Sequence, residues 1–222
     1  MSGVIITGGF GVLGQAVAAA FKTAGFHIAL IDRASAGEHD ADFALGQVDL
    51  ADPDQAQRAF DQARDALGGV QALVNVAGAF RFEMIEGGDP ASWDALFAAN
   101  LKTCANMCRA AAAGLAAGGA IVNIGAAAAE RAGAGMGPYA ASKAGVARLT
   151  ESLAAELGGR IRVNAVLPLI LDTPQNRADM PGADPAGWTA PAALAEVVRF
   201  LASDESRAIN GALIAATAPT PR

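Results

Sequence analysis

The chain has 222 residues, enough for one α/β domain whose core needs neither a disulfide nor a metal. It is 53% hydrophobic and 17% charged, with a net charge of −6, a mean hydropathy of +0.31 and a pI near 4.9. These values exclude a disordered chain and argue against a nucleic-acid or anionic-membrane surface.

In chain order, Met1-Ser2-Gly3-Val4-Ile5-Ile6 enters an apolar strand with no basic segment or cleavage site before it, so a cytoplasmic location is expected. Apolar runs at 4–6, 27–31, 46–48, 72–74, 120–124, 162–166 and 212–214 predict seven strands, apolar on both faces as in a covered parallel sheet. Helical periodicity lies between them at 12–24, 53–67, 91–117, 138–157 and 191–202. Pro53 and Pro191 mark helix starts, whereas Gly25, Gly68 and Gly158 mark helix ends. This βαβα order predicts a single-domain α/β Rossmann fold over 1–222, a doubly wound parallel sheet with helices on both faces. Residues 168–190, rich in proline, read as an irregular loop fit to be a lid.

After the first strand stands Thr7-Gly8-Gly9-Phe10-Gly11-Val12-Leu13-Gly14. Glycines on the turn that opens a helix let backbone N–H groups approach a pyrophosphate, and the helix N-terminus adds partial positive charge. Alone, such glycines serve turn sterics equally well; their place between strand and helix points to a dinucleotide. Asp32 ends the second strand eighteen residues past Gly14, where a carboxylate can accept from a ribose 2′-OH and repel a 2′-phosphate. NAD is therefore expected over NADP, although Arg33 can pair with a phosphate and keeps NADP open. Tyr139 and Lys143 are four apart at a helix start, so phenol and ammonium share one face. A cation at that spacing is expected to lower the phenol pKa.

Together these motifs resemble the short-chain dehydrogenase/reductase family along essentially the whole chain. Thr7–Gly14 is similar to its nucleotide-binding turn, Asn75-Val76-Ala77-Gly78 to its N-x-A-G motif, and Asp49, followed by Leu50, to its acidic residue near the adenine. The resemblance implies that Tyr139 and Lys143 are the catalytic pair, Asn100 the structural and relay asparagine, and Lys143 the anchor of the nicotinamide ribose. It also places Pro168, Ile170 and Thr173 near the nicotinamide, and implies a homodimer or homotetramer. Three departures stand out. The usual catalytic serine falls at Ala126, which has no hydrogen-bond donor, the glycine turn carries Val12 where a glycine is usual, and Pro168-Leu169 replaces the usual Pro-Gly. The glycine turn and the segment Leu171-Asp172-Thr173-Pro174-Gln175-Asn176-Arg177 more narrowly resemble the dihydropteridine reductase-like branch, which keeps the Tyr/Lys pair without the serine. Phe80 stands where that branch carries tryptophan, and the retained Asn100 is closer to ordinary members.

The function expected from this is NAD(P)H-dependent reduction of a planar, pterin-like or quinonoid small molecule, with Tyr139 as proton donor. Phe80, Ala126 and Trp188 are the expected substrate contacts. Carbonyl or alcohol chemistry without the serine is a second reading, and an inactive nucleotide sensor a third. No metal site is expected: Cys104 and Cys108 are read as packing residues, as are Trp93 and, more often than as a substrate contact, Trp188. Small residues on the helices at 91–117 and 138–157, among them Ala110–Ala113, Ala116, Ala117, Ala140, Ala141 and Ala144, suggest close helix contacts between subunits.

Overall fold

A computed structural model describes residues 2–217. Seven strands form one parallel sheet: β1 (Gly3–Thr7), β2 (His27–Ile31), β3 (Phe43–Leu45), β4 (Ala72–Asn75), β5 (Gly119–Ile124), β6 (Ile161–Pro168) and β7 (Leu213–Ala216). Their order is β3-β2-β1-β4-β5-β6-β7. Alternate residues of each strand feed two cores. Ile5, Leu73, Ile121 and Val163 pack with α2 (Pro53–Leu67), α4 (Thr103–Gly114) and α5 (Gly137–Glu156) on one face. Val4, Ile6, Val74 and Val122 pack with α1 (Val12–Thr23) and α7 (Pro191–Ala202) on the other. The expected doubly wound Rossmann sheet is thus present, with helices on both faces.

Helix boundaries follow local chemistry. Asp52 caps α2 by accepting from Asp54 N and Gln55 N, Pro53 occupies its first turn, and Gly68 closes it in the left-handed conformation. Four expectations need correction. The third strand is Phe43–Leu45 rather than 46–48, because Gln47 turns with a φ of +60°. The last strand lies at Leu213–Ala216, shifted from 212–214. The predicted helix over 91–117 is α3 (Ala91–Leu96), a π-turn (Phe97–Lys102) and α4, which ends at Gly114. The lid at 168–190 is not wholly irregular. It carries α6 (Pro174–Asp179) and a 3-10 turn (Pro185–Gly187), and the Leu171–Thr189 bridge joins its two ends.

Among the described residues, no helix is long and apolar enough to cross a membrane. Ala110, Ala111 and Ala140, expected to face another subunit, are buried within the chain, whereas Ala113, Ala116, Ala117 and Ala141 are exposed.

Candidate active site

Sheet growth changes direction between β1 and β4, and a crevice is expected at the C-terminal ends of two such strands. A cleft of about 700 Å³ opens there. The glycine turn forms its floor. Gly8 has a φ of +64°, and a Cβ on it would stand 2.7 Å from Ala77 N; a Cβ on Gly14 would run into the Gly8 carbonyl. Only glycine lets the β1–α1 turn, the β4 end and the start of α1 close together. The backbone is thereby bared to the cleft, which fits a dinucleotide phosphate.

Gly8, Phe10, Gly11, Val12, Leu13 and Gly14 line the cleft, as do Asp32, Arg33, Asp49, Leu50, Val76, Ala77, Gly78 and Thr173. Asp32 Oδ2 accepts from Phe10 N and Oδ1 from Ala34 N, each at 3.0 Å, so the carboxylate ties the end of β2 to the glycine turn. Other expected cofactor residues stand off the cleft wall. Thr7 and Asn75 are buried beneath it: Thr7 Oγ1 accepts from Ala77 N at 3.2 Å, and Asn75 Nδ2 donates to Asn123 Oδ1 at 2.9 Å. Their side chains brace the β4 end from beneath the cleft. Gly9 packs beside Leu30, where a Cβ would stand 2.8 Å from Leu30 Cβ. Pro168 ends β6 in the interior and Ile170 is half-buried beyond it, so Thr173 is the predicted lid residue that reaches the cleft. Unexpected lining comes from Ala95, Ala98, Ala99, Thr103 and, from the lid, Gln175. The first four share a helical face at i, i+3, i+4 and i+8, a spacing visible in the sequence.

Beside the cleft, α5 places Tyr139 and Lys143 one turn apart. Lys143 Nζ donates to Ile124 O at 2.7 Å, and a Cβ on Gly78 would lie 3.4 Å from the same Nζ. The ammonium therefore sits between the end of β5 and the wall of the cofactor cleft. Burial pulls its pKa down from 10.5 to about 8. Burial pushes the Tyr139 phenol up to about 12. The expected lowering by Lys143 does not occur, because the ammonium is turned to the Ile124 carbonyl and desolvation governs the phenol.

Asn100 lies in the π-turn, a common device at functional sites. Its Oδ1 accepts from Ala79 N at 2.7 Å, and its Nδ2 donates to Ala79 O at 3.0 Å and to Ser142 Oγ at 2.9 Å. Ser142 Oγ in turn donates to Tyr139 O at 2.7 Å. With both amide hydrogens committed, the Asn100 side chain braces the β4 loop against α5. Phe80 meets Tyr139 edge-on, ring centroids 4.9 Å apart at 83°. Ala126 is buried just past β5.

Trp188 is only 6% exposed, so its ring presents little open surface. Trp93, expected to be a packing anchor, is 43% exposed near Gly137. Cys104 and Cys108 are buried with sulfurs 4.0 Å apart beside Asn123, and no cluster able to hold a metal occurs among the described residues.

Comparison with known proteins agrees with this geometry. Residues 2–183 match the short chain dehydrogenase family model. The chain is 35% identical to D-threitol dehydrogenase of Mycolicibacterium smegmatis, covering 94% of this chain and 88% of that protein. It superimposes on the ligand-free aldohexose dehydrogenase of Thermoplasma acidophilum with a TM-score of 0.89 at 26% identity, covering 100% of this chain and 97% of the other. A short chain dehydrogenase from Burkholderia cenocepacia, solved in complex with NADP, gives a TM-score of 0.86 at 32% identity, covering 96% and 95%. These relatives do not single out the dihydropteridine reductase-like branch. A glycine-floored cleft beside a half-buried tyrosine and a buried lysine, found in such company, has one reading: the chain belongs to the short-chain dehydrogenase/reductase family of NAD(P)-dependent oxidoreductases.

Proposed function

We propose that this enzyme reduces a planar conjugated substrate, pterin-like or quinonoid, with Tyr139 as the proton donor and NADH as the preferred cofactor. The carrying observation is the setting of the phenol, with the Phe80 ring edge-on to it and Ala126 in place of a hydroxyl. A conjugated ring accepts hydride by spreading charge over the ring, so a hydroxyl partner for a localised oxyanion matters less. Burial keeps the phenol in its protonated form at neutral pH, so a proton is present there for delivery.

NADH, when bound, supplies the hydride. The Gly8–Gly14 turn and Val76–Gly78 would hold its phosphates. Asp32 would accept from the ribose 2′-OH, Asp49 and Leu50 would lie by the adenine, Thr173 would serve the carboxamide, and Lys143 would steady the nicotinamide ribose. The Asp32 carboxylate, fixed by two backbone N–H groups, repels a 2′-phosphate, and the neighbouring Arg33 tempers that repulsion.

A second reading, carbonyl or alcohol chemistry without the serine, is favoured by the names of the relatives, D-threitol and aldohexose dehydrogenases. The two are separated by following NADH oxidation with quinonoid dihydropterin and quinones beside aliphatic ketones and aldohexoses. Turnover confined to the latter pair overturns the planar-substrate reading.

We also propose assembly as a homodimer or homotetramer through α4 and α5, whose exposed small residues Ala113 and Ala141 permit close approach. Light scattering that shows a stable monomer at micromolar concentration refutes it.

A further inference from the structure

Four large apolar side chains in one loop face solvent near Tyr139: Phe80, Phe82, Met84 and Ile85 are 55, 62, 53 and 77% exposed. Clustered exposure of this kind marks a surface that something apolar covers. The loop joins β4 to α3 without regular structure, yet it is fastened firmly. Glu83 turns its carboxylate inward, where Oε2 accepts from the buried Ser92 hydroxyl at 2.6 Å and Oε1 accepts from Asp89 N. Arg81 Nη1 donates to the same hydroxyl at 2.8 Å and stands 3.6 Å from Glu83 Oε2. Glu83 N donates to Gly135 O at 2.8 Å, joining the loop to the segment between β5 and α5 that carries Ala126. The Phe82 ring covers Gly135, whose φ of +73° and lack of a side chain make room for it.

Arg81 and Glu83 go to the Ser92 clasp, while the Phe80 ring lies against Tyr139 and the Phe82 ring against Gly135, two residues of the segment that leads into and opens α5.

We infer that Glu83 and Ser92 are positioning residues that clasp this loop, so that Phe80, Phe82 and Met84 form a fixed apolar wall selecting a flat apolar substrate over a polyhydroxylated one. The inference rests on the planar-substrate reading and deepens it. A wall fastened in advance spends no ordering entropy when a ring stacks on it. A polyol against the same wall would lose its water and gain no strong hydrogen-bond partner from two phenyl rings and a thioether.

The test uses the full chain with NADH, phenanthrenequinone as the flat probe and diacetyl as a small dicarbonyl. Glu83→Ala is expected to raise KM for phenanthrenequinone about tenfold with kcat held within about twofold, because the wall binds the ring without taking part in hydride transfer. Glu83→Gln, which keeps one acceptor oxygen, restores most of the loss, and KM for diacetyl stays unchanged. Trypsin gives a readout independent of turnover. Cutting after Arg81 is expected to accelerate at least about tenfold in Glu83→Ala and in Ser92→Ala, with cutting elsewhere unchanged, because loosened loops are cleaved in proportion to their opening. Unchanged cutting after Arg81 overturns the clasp. Faster cutting with an unchanged KM overturns its role in substrate selection. Failure of the wild type to turn over phenanthrenequinone while it reduces diacetyl overturns the planar-substrate reading itself.

Discussion

Lys143 illustrates how the site trades stability for chemistry. Its ammonium, buried beside Gly78, has a pKa of about 8 against 10.5 in a free chain. Between these values the unfolded chain binds more protons than the folded one, so the lysine's contribution to stability rises with pH across that window. Below pH 8 the whole penalty is present, on the order of 3 kcal/mol before its hydrogen bond to Ile124 O is counted. Lys143→Met is therefore expected to stabilise the cofactor-free protein by about 1–3 kcal/mol at pH 7 while abolishing activity. The gap from wild type should close between pH 8 and 10.5. Urea unfolding of both proteins at pH 7 and pH 10 checks this; a constant gap would mean that packing, not charge, sets the difference. Ala126 carries the opposite question. If the substrate is a conjugated ring, Ala126→Ser leaves kcat/KM on it within about threefold, yet raises kcat/KM on simple ketones, since an added oxyanion donor is worth up to roughly 10²–10³. A large gain on every substrate would show that alanine there is a lesion. At this scale the sequence identified which residues gather but not how they point. The shared helix face of Tyr139 and Lys143 was legible from spacing and their pairing in a site from the family resemblance, whereas the turn of the ammonium to Ile124 O and the submersion of Thr7 and Asn75 depend on contacts across the sheet that no local spacing encodes.

Among elements, the β1–turn–α1 unit is both the most legible and the least forgiving. Its glycines are placed by position in the chain, and the structure shows why: a Cβ on Gly14 meets the carbonyl of Gly8 across the turn. Gly14→Ala must push the start of α1 away from the floor of the cleft. The expected result is a loss of about 1–3 kcal/mol of stability from overpacking and at least about a tenfold weaker dinucleotide affinity, since the backbone N–H groups no longer converge. Fluorescence titration with NADH alongside thermal unfolding checks both; undiminished affinity would detach the turn from cofactor binding. Elements defined by burial on both faces, such as β1, β4 and β5, could be read from apolar runs because each of their residues is buried. The edge strand β3 could not, since all three of its residues are only half-buried and it ends in the left-handed turn at Gln47. The π-turn escaped for another reason. It preserves the apolar helical pattern of 91–117 and differs only in which carbonyl each N–H selects. Helix α6 is too short for a periodic signal, and its start is marked only by the Thr173 cap and Pro174.

At the scale of the molecule, the cleft joins parts of the chain that lie far apart in sequence. The glycine turn, the β2 end, the β4 loop, the α3–α4 segment and the lid all line it. A dinucleotide that bridges these elements must bind the folded chain and not the unfolded one, so its affinity appears directly as stability. At a free concentration of 100 times Kd the gain is about 2.7 kcal/mol, which for a chain of this size corresponds to a rise in Tm of roughly 5–10 °C. The same linkage reads cofactor preference without a substrate. With Asp32 fixed by Phe10 N and Ala34 N, equal concentrations of NADH and NADPH should give unequal shifts, the NADH shift larger by the equivalent of about tenfold in Kd. Asp32→Ala is expected to narrow that difference and Arg33→Ala to widen it, because the first removes the charge that repels a 2′-phosphate and the second the charge that attracts it. Thermal melts of the three proteins with each cofactor decide the matter. Equal shifts in the wild type, unmoved by either substitution, would remove both residues from the choice between the two dinucleotides and leave that choice to the rest of the cleft wall.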